Sequence, residues 1–316
     1  MHDWKGAVLA DLVTGENFSG NWPDLKDGNG KKAVIDESGI LRWKVANSVS
    51  YEFHQKHTKG AYLRKFEKQK YHQINWETPY YKRTFDTFLE GQDPAGKMVM
   101  DFGCGDGRFT EYLLGLGYDQ IVCVDFDYRL LAALSTFAEE NNCAHKLLLI
   151  HSDIDDLPLK AGSFDLIFSI GVLYYLNEKY PDAIAYMNAR LKKGGMLFTS
   201  DPDMEGFVLR TLIFDSLPDA LRSFETRRFK EVQGETDMWF RLFNEKEIMQ
   251  IFRENGFEIM DKQGISMFHN YLRVLHVRGI IPENEIETNE SRIAALFDYL
   301  HEHGRLFKHM IWKLRK

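Results

Sequence analysis

The sequence predicts an α/β protein built on a mostly parallel, doubly wound sheet with helices on both faces, an N-terminal extension and a lid-like insertion. Three observations carry this. The stretch Val99-Met-Asp-Phe-Gly-Cys-Gly-Asp-Gly-Arg-Phe-Thr110 reads as a buried strand, a glycine loop and the start of a helix. A second apolar strand, Ile121-Val-Cys-Val, ends in Asp125. Apolar strand-like runs then alternate with helical patterns to about residue 200, as in a parallel sheet covered on both faces.

The N-terminal 60 residues are rich in turn formers: Gly15, Gly20, Pro23, Asp27-Gly28 and Asn29-Gly30. Between them, Ala33-Val-Ile35 and Ile40-Leu-Arg-Trp43 suggest hairpin strands. No cysteine falls in this segment, so it holds no cysteine-based zinc module. From Tyr62 to Leu89 the chain is charged and aromatic, with Trp76-Glu-Thr-Pro-Tyr-Tyr81 leading into a helix.

Strands are expected near 98–102, 120–125, 146–151, 164–169 and 195–200, and helices near 107–117, 128–140 and 180–191. Residues 201–242 form an insertion whose Phe207, Leu209, Leu212, Ile213, Leu217 and Leu221 are helically spaced. It leaves the carboxyl end of a strand, where open α/β sheets bind ligands, so it suits a lid, with dimerisation the alternative. Asn244-Glu-Lys-Glu247 is a capping pattern for a helix over 244–255. The tail carries a helical stripe at Ile293, Leu296, Phe297 and Leu300. A basic amphipathic segment, 305–316, follows; docking on its own protein is the expected role and membrane contact the minor one.

Composition is that of a folded protein: 44% hydrophobic, 14% aromatic and 28% charged over 316 residues. A net charge of −7 disfavours nucleic acid as substrate, although Lys56, Lys59, Arg64, Lys65, Lys68 and Lys70 form a local basic cluster. Cys104, Cys123 and Cys143 show no metal-type spacing, and a reducing, cytoplasmic setting is expected. The opening Met1-His-Asp-Trp-Lys-Gly lacks a signal-peptide pattern.

The acid-x-Gly-x-Gly-x-Gly loop and the second acid at Asp125 resemble the class I S-adenosylmethionine-dependent methyltransferases over roughly residues 80–262. The resemblance implies a Rossmann-like sheet of seven strands, the last antiparallel, with 257–260 and 271–276 as the closing pair. The implied organisation is an extension at 1–80, a core at 81–276 and a helical tail at 277–316. It implies S-adenosylmethionine as donor, S-adenosylhomocysteine as product, and no metal.

By resemblance, Asp101 orders the loop and helps hold the donor's amino group, while Gly103 and Gly105 admit its amino-acid portion. Asp125 takes the ribose hydroxyls, Phe126 and Ile154 pack on the adenine, and Asp153 accepts from its amino group. Ile170 lies beside the methyl donor, and Tyr81 (or Tyr80) lies near the carboxylate or sulfonium. Asp127, Asp155 and Asp156 read as turn and cap residues.

The acceptor side is poorer. The loop Ile170-Gly-Val-Leu-Tyr-Tyr-Leu176 lacks both the base-amine motif and a metal-binding acid. Tyr174 and Tyr175 are candidate pocket walls. His54, His57, His72, His269 and Asp201 are candidate bases that the sequence does not rank. The leading expectation is metal-independent methylation of a small molecule, at oxygen, by a monomer or homodimer. RNA or protein methylation and a non-catalytic scaffold are the alternatives.

Overall fold

The computed structural model describes residues 4–9, 23–24, 26, 33–43, 73–154, 157–233 and 236–316. The basic cluster between Lys56 and Lys70, His54, His57, His72, Asp155 and Asp156 lie outside the described residues.

One nine-stranded sheet organises the chain. Its strands are β1 (Val34–Ile35), β2 (Ile40–Arg42), β3 (Met98–Phe102), β4 (Gln120–Asp125), β5 (Leu147–His151), β6 (Phe164–Ser169), β7 (Leu191–Pro202), β10 (Glu258–Ser266) and β11 (Phe307–Arg315). Their order is β1-β2-β5-β4-β3-β6-β7-β11-β10. The two expected N-terminal hairpin strands are present, and β2 runs parallel beside β5, so the extension widens the sheet to nine strands where seven were expected. Its turn is closed by Asp36, whose carboxylate accepts from the Ser38 and Ile40 amides.

Successive side chains of the central strands enter opposite cores. On one face Met100, Val122, Ile167, Leu197 and Trp312 pack against helices α4 (Tyr180–Arg190) and α7 (Glu245–Glu254). On the other, Val99, Cys123, Phe168, Phe198 and Ile311 meet α1 (Gln73–Phe88), α2 (Arg108–Gly115) and α3 (Tyr128–Glu140). Phe85 of α1 centres this second core, 4.9 Å from the Phe168 ring and 5.3 Å from Phe109. The predicted capping box of α7 forms: Asn244 accepts from the Glu247 amide at 3.0 Å, and Glu247 from the Asn244 amide at 2.8 Å.

Three expectations are corrected. Residues 271–276 are not the antiparallel strand; they lie in helix α8 (Phe268–Val277). The antiparallel strand is β11, between β7 and β10, made of the residues expected to form a basic docking or membrane helix. Met310, Ile311, Trp312 and Leu314 are all buried. A strand covered on both faces is an unbroken apolar run, and such a run imitates one face of a helix. The C-terminal helical tail is therefore replaced by an excursion of three helices, α8, α9 (Glu283–Thr288) and α10 (Glu290–His303), returning into the sheet. The boundary at residue 80 also shifts, because α1 runs unbroken through it from Gln73.

The insertion folds as α5 (Met204–Phe214), α6 (Leu217–Thr226) and the hairpin β8 (Arg228–Gln233)–β9 (Thr236–Arg241). Its inner side has its own apolar centre: Phe207, Phe229, Phe240 and Leu242, with Tyr174 and Met267 from the body. Among the described residues, no helix is long and apolar enough to cross a membrane.

Candidate functional site

The site sits at the carboxyl ends of the parallel strands. Strand β3 ends in the glycine loop, whose Gly103 and Cys104 amides donate to the Val124 carbonyl at 2.8 and 3.1 Å. Gly103 has φ +72°, and a Cβ there would collide with Val172. Gly105, at φ +58°, faces open space instead. The first glycine is thus required by packing, and the second leaves room for a ligand to meet the backbone.

The two predicted acids hold this loop in different ways. Asp101 is buried and accepts from the Thr110 hydroxyl at 2.7 Å. Burial raises its carboxyl to about 6, against the hydrogen bond from Thr110. Asp125 accepts from the Gly105 amide at 2.8 Å with one oxygen and from the Asp127 amide at 2.8 Å with the other. Burial raises it to about 7, with backbone bonds offsetting part of the cost. Each Asp125 oxygen retains acceptor capacity for a further donor, as a diol would supply.

Phe126 follows Asp125, its carbonyl fixed at 3.1 Å from His151 Nε2. Burial lowers the His151 pKa, which favours the neutral ring. Asp127 caps α3 through the Arg129 amide, as expected. Asp153 and Ile154 follow β5, Ile154 buried and Asp153 partly exposed. Ile170 is buried after β6, where Ser200 Oγ accepts from the Gly171 amide at 2.8 Å. Eight of the predicted residues (Asp101, Gly103, Gly105, Asp125, Phe126, Asp153, Ile154 and Ile170) thus follow the ends of four adjacent strands, β3 to β6.

Tyr81 joins a cluster that sequence reasoning missed. Its hydroxyl lies 2.7 Å from His309 Nδ1 at the start of β11, and the Arg108 guanidinium stands 5.4 Å over its ring. Glu77, one turn earlier on α1, pairs with Lys308 at 3.0 Å and faces Arg108 at 3.7 Å. Burial works to raise the Glu77 carboxyl, but the Lys308 and Arg108 charges outweigh it and bring it to about 2. Burial and the Lys308 charge hold His309 down near 3, so its ring is neutral. Arg108 Nη1 is buried without a hydrogen-bond partner. Two cations therefore share the Glu77 carboxylate, and the Arg108 charge also reaches Asp101.

Aromatic rings wall this cluster on the lid side. Tyr174 lies 5.8 Å and Phe207 6.1 Å from the His309 ring, and Phe240 stands 5.1 Å from Tyr174. Tyr174 and Tyr175, the predicted pocket walls, are both in this group. Of the other candidate bases, His269 lies within reach of the Glu77 and Lys308 charges, and Asp201 lies elsewhere. Asp201 is buried on the α4 face of the sheet, accepts from the Tyr180 hydroxyl at 2.9 Å and has its pKa raised by burial to about 7. His269 packs against Tyr80 and Phe297, and burial lowers it to about 4. Glu77, Arg108, Lys308 and His309 have no local signature in the sequence; only Arg108, directly after the third glycine, adjoins the motif.

Residues 99–195 match a family model described as a methyltransferase domain. This core thus carries a methyltransferase domain, in line with the S-adenosylmethionine-dependent class that its glycine loop resembled. Two similar solved structures share the fold: an S-adenosylmethionine-dependent methyltransferase from Methanosarcina mazei (17% identical, TM-score 0.51, covering 74% of this chain and 96% of that one) and a Listeria monocytogenes protein assigned to the same class (16%, TM-score 0.53, 77% and 99%). Among curated proteins, tRNA U34 carboxymethyltransferase of Pseudomonas aeruginosa is 33% identical over 121 residues, 37% of this chain and 36% of the relative. That of Pseudomonas fluorescens is 31% identical over 117 residues, 36% and 35%. The chain thus matches about a third of the length of these relatives.

Proposed function

We propose that this protein transfers a methyl group from S-adenosylmethionine to an oxygen of a flat small-molecule acceptor, without a metal. The carrying observation is the Glu77–Arg108–Lys308 cluster beside Tyr81 and His309, set between the glycine loop and aromatic walls.

The donor supplies an electrophilic methyl on a sulfonium when bound; the protein's part is alignment and exclusion of water. Asp125 receives the ribose hydroxyls, and Gly105 admits the amino-acid portion, whose amino group Asp101 helps hold, while Gly103 lets the loop pack on Val172. Phe126, Asp153 and Ile154 hold the adenine, and Ile170 borders the reacting end. Arg108 and Lys308 would lower the pKa of an acceptor hydroxyl so that it binds as the oxyanion, its proton lost to water; the O–C bond to the methyl forms as the C–S bond breaks and leaves a thioether. Neutral His309 and Tyr81 fix the wall against which the acceptor ring lies.

A second reading comes from the relatives, named for carboxymethyl transfer to U34 of tRNA. Arg108 and Lys308 favour it, since a carboxylate on a transferred group would meet both cations. The net charge of −7 weighs against an RNA surface.

Titration with S-adenosylmethionine, S-adenosylhomocysteine and NAD tests the donor: micromolar binding of the first two without NAD is expected. Radiolabelled methyl transfer into a metabolite extract, and radiolabelled carboxymethyl transfer from a carboxylated sulfonium donor into total tRNA, then test the acceptor. Label in a small organic-soluble product supports the first reading, and label in tRNA replaces it with the second.

A further inference from the structure

The lid's outer surface has a use separate from the site beneath it. Leu209, Leu212 and Ile213 of α5 and Leu217, Leu221 and Phe224 of α6 each remain between 41% and 58% exposed. They recur at helical spacing, and the opposite sides of the two helices are already filled by Phe207, Thr211, Ala220 and Ser223. Beside the end of α5 lie Val277 and Ile280, 68% and 63% exposed, where Arg278 donates to the Phe214 carbonyl at 2.9 Å. The six lid residues expose roughly 550 Å² of apolar surface, the upper end of the ~300–600 Å² patch that a monomer leaves uncovered. With Val277 and Ile280 the surface reaches roughly 800 Å², the area each partner contributes to a stable dimer.

We infer that two copies of this chain associate through this face, α5 and α6 of one packing on α5 and α6 of the other. Charge selects this occupant. The two helices, their connection and the residues that adjoin the face carry Glu205, Asp215, Asp219 and Glu225 beside Arg210, Arg222, Arg227 and Arg278. A surface of balanced charge has no net attraction to anionic lipid or to nucleic-acid phosphate. It also carries both signs beside its apolar stripe, so a two-fold axis can bring carboxylates of one copy to guanidiniums of the other.

The test is the mass of the full chain by sedimentation at tens of micromolar, for the wild type and for the double variants Leu217→Arg/Leu221→Arg and Leu212→Arg/Ile213→Arg. These side chains are exposed, and an unchanged melting profile and S-adenosylhomocysteine affinity confirm that each variant is folded. The expected result is a wild-type species of twice 36.9 kDa and variants whose dimerisation is weakened at least ~100-fold. A monomeric wild type overturns the inference, whether it is free in solution or floats with anionic vesicles, and so does a dimer that both folded variants retain.

Discussion

Glu77 shows how one residue can set the character of a site. Its carboxylate faces both Arg108 and Lys308, and both partners are themselves largely buried. Its folded-state pKa, about 2, lies below the ordinary 4.5. The stability it contributes is present above about pH 4.5 and is lost as pH falls towards 2. Glu77→Gln leaves two cations unpaired, and a loss of about 3 kcal/mol is expected, measured by denaturant unfolding at pH 7.

Asp125 has the opposite sign: about 7 folded against 3.8. It favours the native state most below about pH 4, and this is lost as pH rises through 7. Binding runs the other way, because the ionised carboxylate is the better acceptor for ribose hydroxyls. S-Adenosylhomocysteine affinity should therefore rise several-fold from pH 6 to 8 by calorimetry, and Asp125→Asn should flatten that profile while weakening binding by about 1–3 kcal/mol.

At the scale of elements, β11 decides the most. It pairs with β7 over seven residues and with β10 on its other edge, and Trp312 packs 5.4 Å from Phe252. Trp312→Ala should cost ~3–5 kcal/mol in an unfolding titration. Removal of residues 307–316 should yield insoluble protein on expression, because it leaves β7 and β10 with bare edges. A dispensable tail helix would predict soluble protein with an intact donor site. The lid behaves differently, since Phe207 and Phe240 belong to the inner centre of the insertion and not to either sheet core. Phe207→Ala should change S-adenosylhomocysteine affinity less than twofold while lowering transfer to any acceptor found in the screen by tenfold or more. Equal losses in both measurements would place Phe207 in the donor site.

At the scale of the whole molecule, the strand order from β5 to β10 is the arrangement expected for the class, and the N-terminal hairpin lengthens one edge. The glycine loop, the acids ending β3 and β4 and the caps of α3 and α7 were legible because each is a local pattern: a few consecutive residues specify a turn, a strand end or a helix start. The proposed donor contacts are concentrated in such patterns. Candidate acceptor chemistry is not. Glu77 and Lys308 are 231 positions apart, as are Tyr81 and His309 to within three, and no periodicity links them.

The sequence by itself determined the alternating α/β core and the position of its loop, because binary patterning and glycine spacing act over ten residues or fewer. Tertiary structure alone decided which C-terminal segment became the antiparallel strand. Both 271–276 and 307–315 are apolar enough to serve, and the slot beside β7 accepts only the one whose two faces can both be buried. It also decided that a glutamate, an arginine and a lysine from three distant elements meet under the lid. Long-range burial of that kind depends on the assembled sheet and has no expression in local sequence.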